Sequence, residues 1–191
     1  MKVKNIQKEL LSENWFKLEK ITFDYRKKDG SWEKHQREAY DRGNGAVILL
    51  YNKDNQSVIL TRQFRIPTYL NGNESGMMIE ACAGLLDDND AETCIRLETQ
   101  EETGYQVREV KKIMEAYMSP GSVTEILHFF IAQYQPNMKQ SEGGGIPSEQ
   151  EEIEVLEIPF KVALDMVKIG EIKDAKTIML LYHLKLHDIL K

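Results

Sequence analysis

Three glutamates carry the strongest chemical signal in this sequence. Glu98, Glu101 and Glu102 fall within residues 91–103, a stretch that holds neither Gly nor Pro. Asn89 or Asp90 can cap a helix there, with Glu92 three residues after Asn89 as in a capping box, and Gly104 can end it with φ > 0. On such a helix Ala91, Cys94 and Ile95 form an apolar stripe, and the three glutamates continue along it one to two turns later. Carboxylates at i, i+3 and i, i+4 repel one another, and carboxylates that face a core need partners. A hard divalent cation answers both demands, because magnesium takes carboxylate oxygens and leaves positions open for phosphate oxygens. The competing reading is a solvated acidic face, which most Glu-rich helices present.

Other residues add to the chemistry. Glu149, Glu151 and Glu152 follow Gly143-Gly144-Gly145. As a bare charge run they would only solubilise the surface. On a hinged loop, one of them could reach an attacking water as a general base. Arg62 and Arg65 flank Gln63-Phe64 at the end of an expected strand. Alternation sends Arg62 and Phe64 to one face and leaves Arg65 for the other face or the loop. A surface arginine is the plain reading, and bidentate phosphate pairing is the functional one. Ser119-Pro120-Gly121 followed by Glu125 is a weak turn signal on its own. Trp15 could stack on a base, although a core or interface tryptophan is the more ordinary reading. The four histidines show no ligand spacing; His128 alternates with Leu127 and Phe129 in a strand and reads as structural.

The spacing around the glutamates resembles the Nudix box, G-x5-E-x7-R-E-U-x-E-E-x-G-U with U aliphatic. Gly84, Glu98, Glu101, Glu102, Gly104 and Tyr105 stand in its pattern, and Leu85-Leu86 fits as well. Glu80-Ala81-Cys82-Ala83-Gly84 resembles the E-x-x-A-G approach of the nucleoside-diphosphate-sugar hydrolases in that superfamily, and Ser119-Pro120-Gly121 with Glu125 resembles their S-P-G…E segment. The sequence departs from the pattern in several places. Gly84 to Gly104 is one residue short, Asp90 replaces the first Glu, Leu97 stands where the box has Arg, and Thr99 takes an aliphatic position. The shortened box and Arg42-Gly43-Asn44-Gly45 resemble the bacterial GDP-mannose pyrophosphatase group in particular.

That resemblance implies a magnesium-dependent hydrolase of the diphosphate in a nucleoside diphosphate sugar, with two or three ions per site and manganese able to substitute. The expected metal ligands are Glu98, Glu102 and the carbonyl of Ala83, completed by Glu101 and Glu151. Glu98, Glu102 and Glu151 are the expected catalytic residues. Trp15, Gln36, Arg37, Glu38, Arg65, Ala83, Gly84, Leu85, Glu125 and Lys176 are expected near substrate. The resemblance also implies a homodimer that shares its N-terminal segment. GDP-mannose is the leading substrate, an ADP-ribose pyrophosphatase is the nearest alternative, and a non-catalytic nucleotide-sugar sensor is an alternative of another class. A sensor is expected to have lost box carboxylates and to carry a basic appendage; this sequence keeps the carboxylates and has no such appendage.

Positioning these residues takes a mixed sheet with helices against it. Ile21, Phe23 and Tyr25 alternate with polar residues, Lys28-Asp29-Gly30-Ser31 is a turn, and 32–40 returns, so a hairpin is expected. Strands are expected at 46–51, 58–64, 77–82, 107–117, 125–134 and 151–158, with helices at 91–103, from Pro159 to Gly170, and at 175–190. The expected fold is α+β: a Nudix α/β/α sandwich with a mixed sheet, preceded by a small N-terminal β hairpin unit. Domains are expected at 1–42 (β dimerisation segment) and 43–191 (hydrolase). Hydrophobic residues make up 41% and charged residues 29%, the make-up of an ordinary globular chain. A net charge of −6 speaks against nucleic-acid binding but not against a nucleotide substrate. No apolar run is long enough for a membrane span. Residues 1–20 carry charge throughout, so no signal peptide is expected. Cys82 and Cys94 form no CxxC pair, and a reduced, cytoplasmic setting is expected.

Overall fold

A computed structural model describes residues 1–146, 148 and 150–191; Pro147 and Glu149 lie outside the described residues. The chain forms two compact units, Met1–Asn44 with Tyr117–Ile126, and Gly45–Ala116 with Leu127–Lys191.

The first unit is a three-stranded antiparallel sheet in the order β1 (Val3–Glu13), β2 (Lys17–Arg26), β3 (Trp32–Asp41). Asp29 closes the β2–β3 turn by accepting from the Ser31 amide and hydroxyl, and Gly30 takes a φ of +88° there. Strand β1 adds a third strand to the expected hairpin. Its alternation is broken by register shifts between Lys4 and Gln7 and between Leu10 and Ser12, and Asn5 sits at φ +53°, so no period of two runs through it. The end of β3 is held by 117–126: the Tyr40 amide donates to Ser122 and the Tyr40 carbonyl accepts from Thr124.

The second unit is a mixed sheet of seven strands. Its main path runs β10 (Glu154–Pro159), β5 (Ser57–Phe64), β4 (Gly45–Asn52), β9 (Ile126–Gln133), β8 (Lys111–Tyr117). Strands β4 and β9 pair in parallel. Among the described residues, β4 and β5 pair only at Leu50–Asn52 with Ser57–Ile59. Beyond that point β5 pairs with β6 (Met77–Glu80), while β4 pairs with β7 (Ala83–Leu85). Residues 77–85 thus run through the gap between the two central strands and deliver the glycine of the box into the sheet. A short helix α1 (Ile66–Leu70), with Pro67 in its first turn, occupies part of what the sequence suggested was an open loop.

Ala46 through Leu50 are 0–1% exposed, so β4 must be covered on both faces. Helix α2 (Ala91–Thr103) covers one, where Cys94 and Ile95 join Ala46, Ile48, Leu50, Phe130 and Tyr134. The other face carries α3 (Phe160–Lys168) and α4 (Ala175–Leu186), whose Phe160, Ala163, Leu180, Leu181 and Leu184 are fully buried. This is the expected three-layer sandwich.

Candidate metal and diphosphate site

Helix α2 is set by its ends. Asp90 is the N-cap and accepts from the amides of Glu92 and Thr93; Gly104 closes the helix at φ +77°. Glu92 does not reach back to the cap. It pairs with Arg96 at 2.7 Å, and Arg96 also donates to the carbonyls of Val107 and Arg108. Arg96 so ties α2 to the loop at 107–108, while Leu97, where the box has Arg, is half exposed. Thr99, at the aliphatic position, is fully buried and returns its hydroxyl to the carbonyl of Ile95.

The three glutamates differ in environment. Glu102 is buried, Glu98 is half-buried and Glu101 is exposed. Glu101 lies about 100° around the helix from Glu102, and the core takes the side of Ile95, Thr99 and Glu102. Glu101 instead borders a shallow depression with Leu97, Gln100, Ser141, Gly143 and Gly145. Burial first, and then the charges of Glu98 and Glu151, push the Glu102 carboxyl up to about 8, against the Cys82 thiol and the Arg65 charge that favour its ionised form. Its Oε2 is buried with no hydrogen-bond partner. Gly84 faces Glu98 so closely that a Cβ would overlap the carboxylate. Among the described residues, no three acidic, histidine or cysteine side chains converge tightly enough to hold a metal as they stand. The donor set nevertheless suits a hard cation: an unpartnered buried carboxylate oxygen, a second carboxylate at Gly84, and a third charge close enough to be felt.

That third charge is brought by the glycine loop. The last carbonyls of α2 need donors from outside the helix. Gly144 donates to the carbonyl of Glu102 at 2.9 Å and Gly145 to that of Glu101 at 3.2 Å. Gly143, at φ +70°, lies against the Glu102–Gly104 backbone with no room for a Cβ. Glu151 then packs against Gly145 and accepts from the Ile146 amide at 3.0 Å. Glu152 is exposed, and Glu149 is outside the described residues.

Behind the box lies an ionic network. Glu80 is buried and bonds Arg65 Nε and Lys176 Nζ, each at 2.7 Å. Burial opposes its charge, but Lys176 and Arg65 outweigh that and hold its carboxyl below the usual range. Lys176 also pairs with Asp174 at 3.0 Å, and its side chain is mostly buried. The Arg65 side chain stays 42% exposed. Arg62 pairs with Glu154 across the β5–β10 register and is structural. Glu80, Asp174 and Thr177 were not read as site-forming from sequence. An acidic residue on a short strand and a helix cap carry no local sign that they meet.

The remaining candidates, Trp15, Gln36, Arg37, Glu38 and Glu125, belong to the first unit. Trp15 is 82% exposed, so it is not a core residue there. Gln36 donates to Thr22, Arg37 donates to the Gln36 carbonyl, and Glu125 lies 3.5 Å from Arg42. His183, in the last turn of α4, and His187, at its C-cap, bring their ring centroids within 4.3 Å.

Comparison with known proteins bears on the whole chain. The NUDIX domain family matches residues 41–180, and the GDP-mannose pyrophosphatase NudK N-terminal domain family matches residues 2–40. The chain is 58% identical over 181 residues to a GDP-mannose pyrophosphatase of Shigella flexneri serotype 5b (strain 8401), covering 95% of this chain and 94% of that one. It is 57% identical over 180 residues to a GDP-mannose pyrophosphatase of Escherichia coli (strain K12), covering 94% and 93%.

Proposed function

This chain belongs to the Nudix family of hydrolases, and from that membership we propose that it splits the diphosphate of GDP-mannose with water to give GMP and mannose 1-phosphate. The observation that carries the reading is the buried Glu102 carboxylate, with an oxygen lacking a partner, set beside Glu98 and Glu151. Glu98, Glu102 and the Ala83 carbonyl, with Glu101 and Glu151, would hold divalent cations, magnesium by preference and two or three in number. Such cations neutralise a diphosphate and lower the pKa of bound water. Glu151 has one oxygen held by the Ile146 amide, and its other oxygen would take a proton from the attacking water. Arg65, steadied through its Nε by Glu80, offers the rest of its guanidinium to phosphate.

The substrate reading extends to a homodimer in which Trp15, Gln36, Arg37 and Glu38 of one subunit serve the nucleotide pocket of the other. Exposed Ile6, Leu10 and Trp32 on the three-stranded sheet, with exposed Trp15 in the bend between β1 and β2, support it. A reduced cytoplasmic setting suits Cys82 and Cys94, which are free and buried, and among the described residues no helix is long and apolar enough to cross a membrane. The test is a panel of nucleoside diphosphate sugars, ADP-ribose included, assayed with magnesium for monophosphate products. GDP-mannose should show the highest kcat/KM; a preference for ADP-ribose would overturn the substrate assignment, and no turnover of any member would overturn the activity.

A further inference from the structure

The first turn of α4 is tied to the approach of the box by a closed ring of polar contacts. Thr177 is fully buried, and its hydroxyl accepts from the Ala81 amide at 2.7 Å. That hydroxyl donates in turn to Asp174 Oδ2, which also accepts from the Thr177 amide at 3.0 Å as the α4 cap. The second oxygen of Asp174 pairs with Lys176, Lys176 pairs with Glu80, and Glu80 is joined to Ala81 by the chain. Glu80 also holds Arg65, and its carbonyl accepts from Thr61.

This ring sits where the chain changes partners. Residues 77–80 pair with β5 and 83–85 with β4, so the amide of Ala81 lies between two ladders and belongs to neither. A buried amide left without an acceptor is costly. Thr177 supplies that acceptor from another layer of the sandwich. The cap of α4 therefore sets the path of the peptide running toward Ala83 and, through Glu80, the direction of the Arg65 guanidinium.

We propose that Thr177 is a positioning residue for the hydrolysis, acting with Asp174 through the Glu80–Ala81 peptide on Arg65. This rests on the site reading given above. Valine at this position matches threonine in shape but cannot accept from Ala81 or donate to Asp174. T177V should lower kcat/KM about tenfold, the scale expected when a positioning contact is lost and a substrate-binding group shifts. T177S, which keeps the hydroxyl, should stay within about threefold of the parent enzyme. The deciding measurement is T177V in an R65A background at a temperature where all variants are folded by circular dichroism. If Thr177 acts through Arg65, the valine penalty should shrink to within about twofold there.

A residue that only stabilised α4 would lower the melting temperature and leave kcat/KM of folded enzyme alone. T177V with normal kcat/KM, or a full penalty retained without Arg65, overturns the proposal. Should T177V not fold, T177A, which also removes the hydroxyl, gives the same cycle with the same two outcomes. E102Q separates this idea from its premise: an active E102Q removes the site reading itself, whereas an inactive E102Q beside an unaffected T177V removes only the positioning role.

Discussion

At the scale of single residues, Glu102 governs the most direct expectations. Its carboxyl is held up to about 8, mainly by burial and then by the charges of Glu98 and Glu151. A carboxyl raised in the folded state contributes stability that is complete below its unfolded value and is lost as pH climbs through its folded value. The metal-free protein should therefore lose melting temperature between about pH 5 and pH 9. Magnesium should restore more of it at pH 8.5 than at pH 5.5. E102Q, with no charge to bury, should melt higher than the parent at pH 8.5 in EDTA, by roughly 5 °C if ~2 kcal/mol is relieved. The same variant should be almost without turnover at saturating magnesium. Differential scanning fluorimetry across pH, paired with the GDP-mannose assay, checks both; a flat pH profile in the parent would remove the buried carboxylate from the account. Gly84 makes a second residue-scale test. Its missing Cβ leaves the space that the Glu98 carboxylate fills, so G84A must push Glu98 aside. Displacing the Glu98 carboxylate should cost about a hundredfold in kcat with the fold intact. Activity within a few fold of the parent would show that Glu98 has freedom to spare.

At the scale of elements, the glycine loop behaves as an extension of α2. Gly144 and Gly145 satisfy the carbonyls of Glu102 and Glu101, and Gly143 lies on the helix end with no space for a side chain. The element that offers Glu102 thereby also fixes the loop that carries Glu151. Two consequences differ in kind. E151Q should lower kcat and kcat/KM together while leaving substrate affinity near the parent value, because a proton acceptor acts in the transition state. G143A, strained by its φ of +70° and by the contact with the helix backbone, should produce the same loss without touching a carboxylate. Steady-state kinetics on the two variants decides the matter. An effect on KM alone in E151Q would make Glu151 a binding residue, and an unaffected G143A would free the loop from the helix.

At the scale of the whole molecule, the shared-subunit reading makes a prediction no single-chain variant can reach. R37A and E102Q chains, each weak alone, should recover activity when co-refolded. In the mixed dimer one site then combines an intact box with an intact Arg37, in an isologous arrangement that yields two equivalent composite sites. Light scattering gives the oligomeric state and the GDP-mannose assay gives the rescue. A monomer, or a mixture no more active than its parts, would end the shared-site model and leave the hydrolase standing.

Much of this was written locally in the chain. The box helix, its Asp90 and Gly104 ends, the Asp29-Gly30 turn and the fully apolar β4 follow from capping, turn chemistry and burial patterns that act over a few residues. Spacing also grouped Glu98, Glu101 and Glu102 as candidates for a cation, and the family resemblance put forward Glu98 and Glu102 among them. Tertiary structure decided what spacing cannot. Glu101 is exposed because it lies about 100° around α2 from the buried Glu102, and Arg96 reaches the carbonyls of Val107 and Arg108 because that loop returns beside it. The bulged β1 has no two-residue period to read. Glu80, Arg65, Lys176, Asp174 and Thr177 meet because β5, β6 and the cap of α4 converge on one buried spot, although Arg65 and Thr177 are far apart in the chain. Short-range propensity reports only on neighbours in sequence. A buried charge or amide finds its partner wherever packing brings one, and packing is settled by the sheet as a whole.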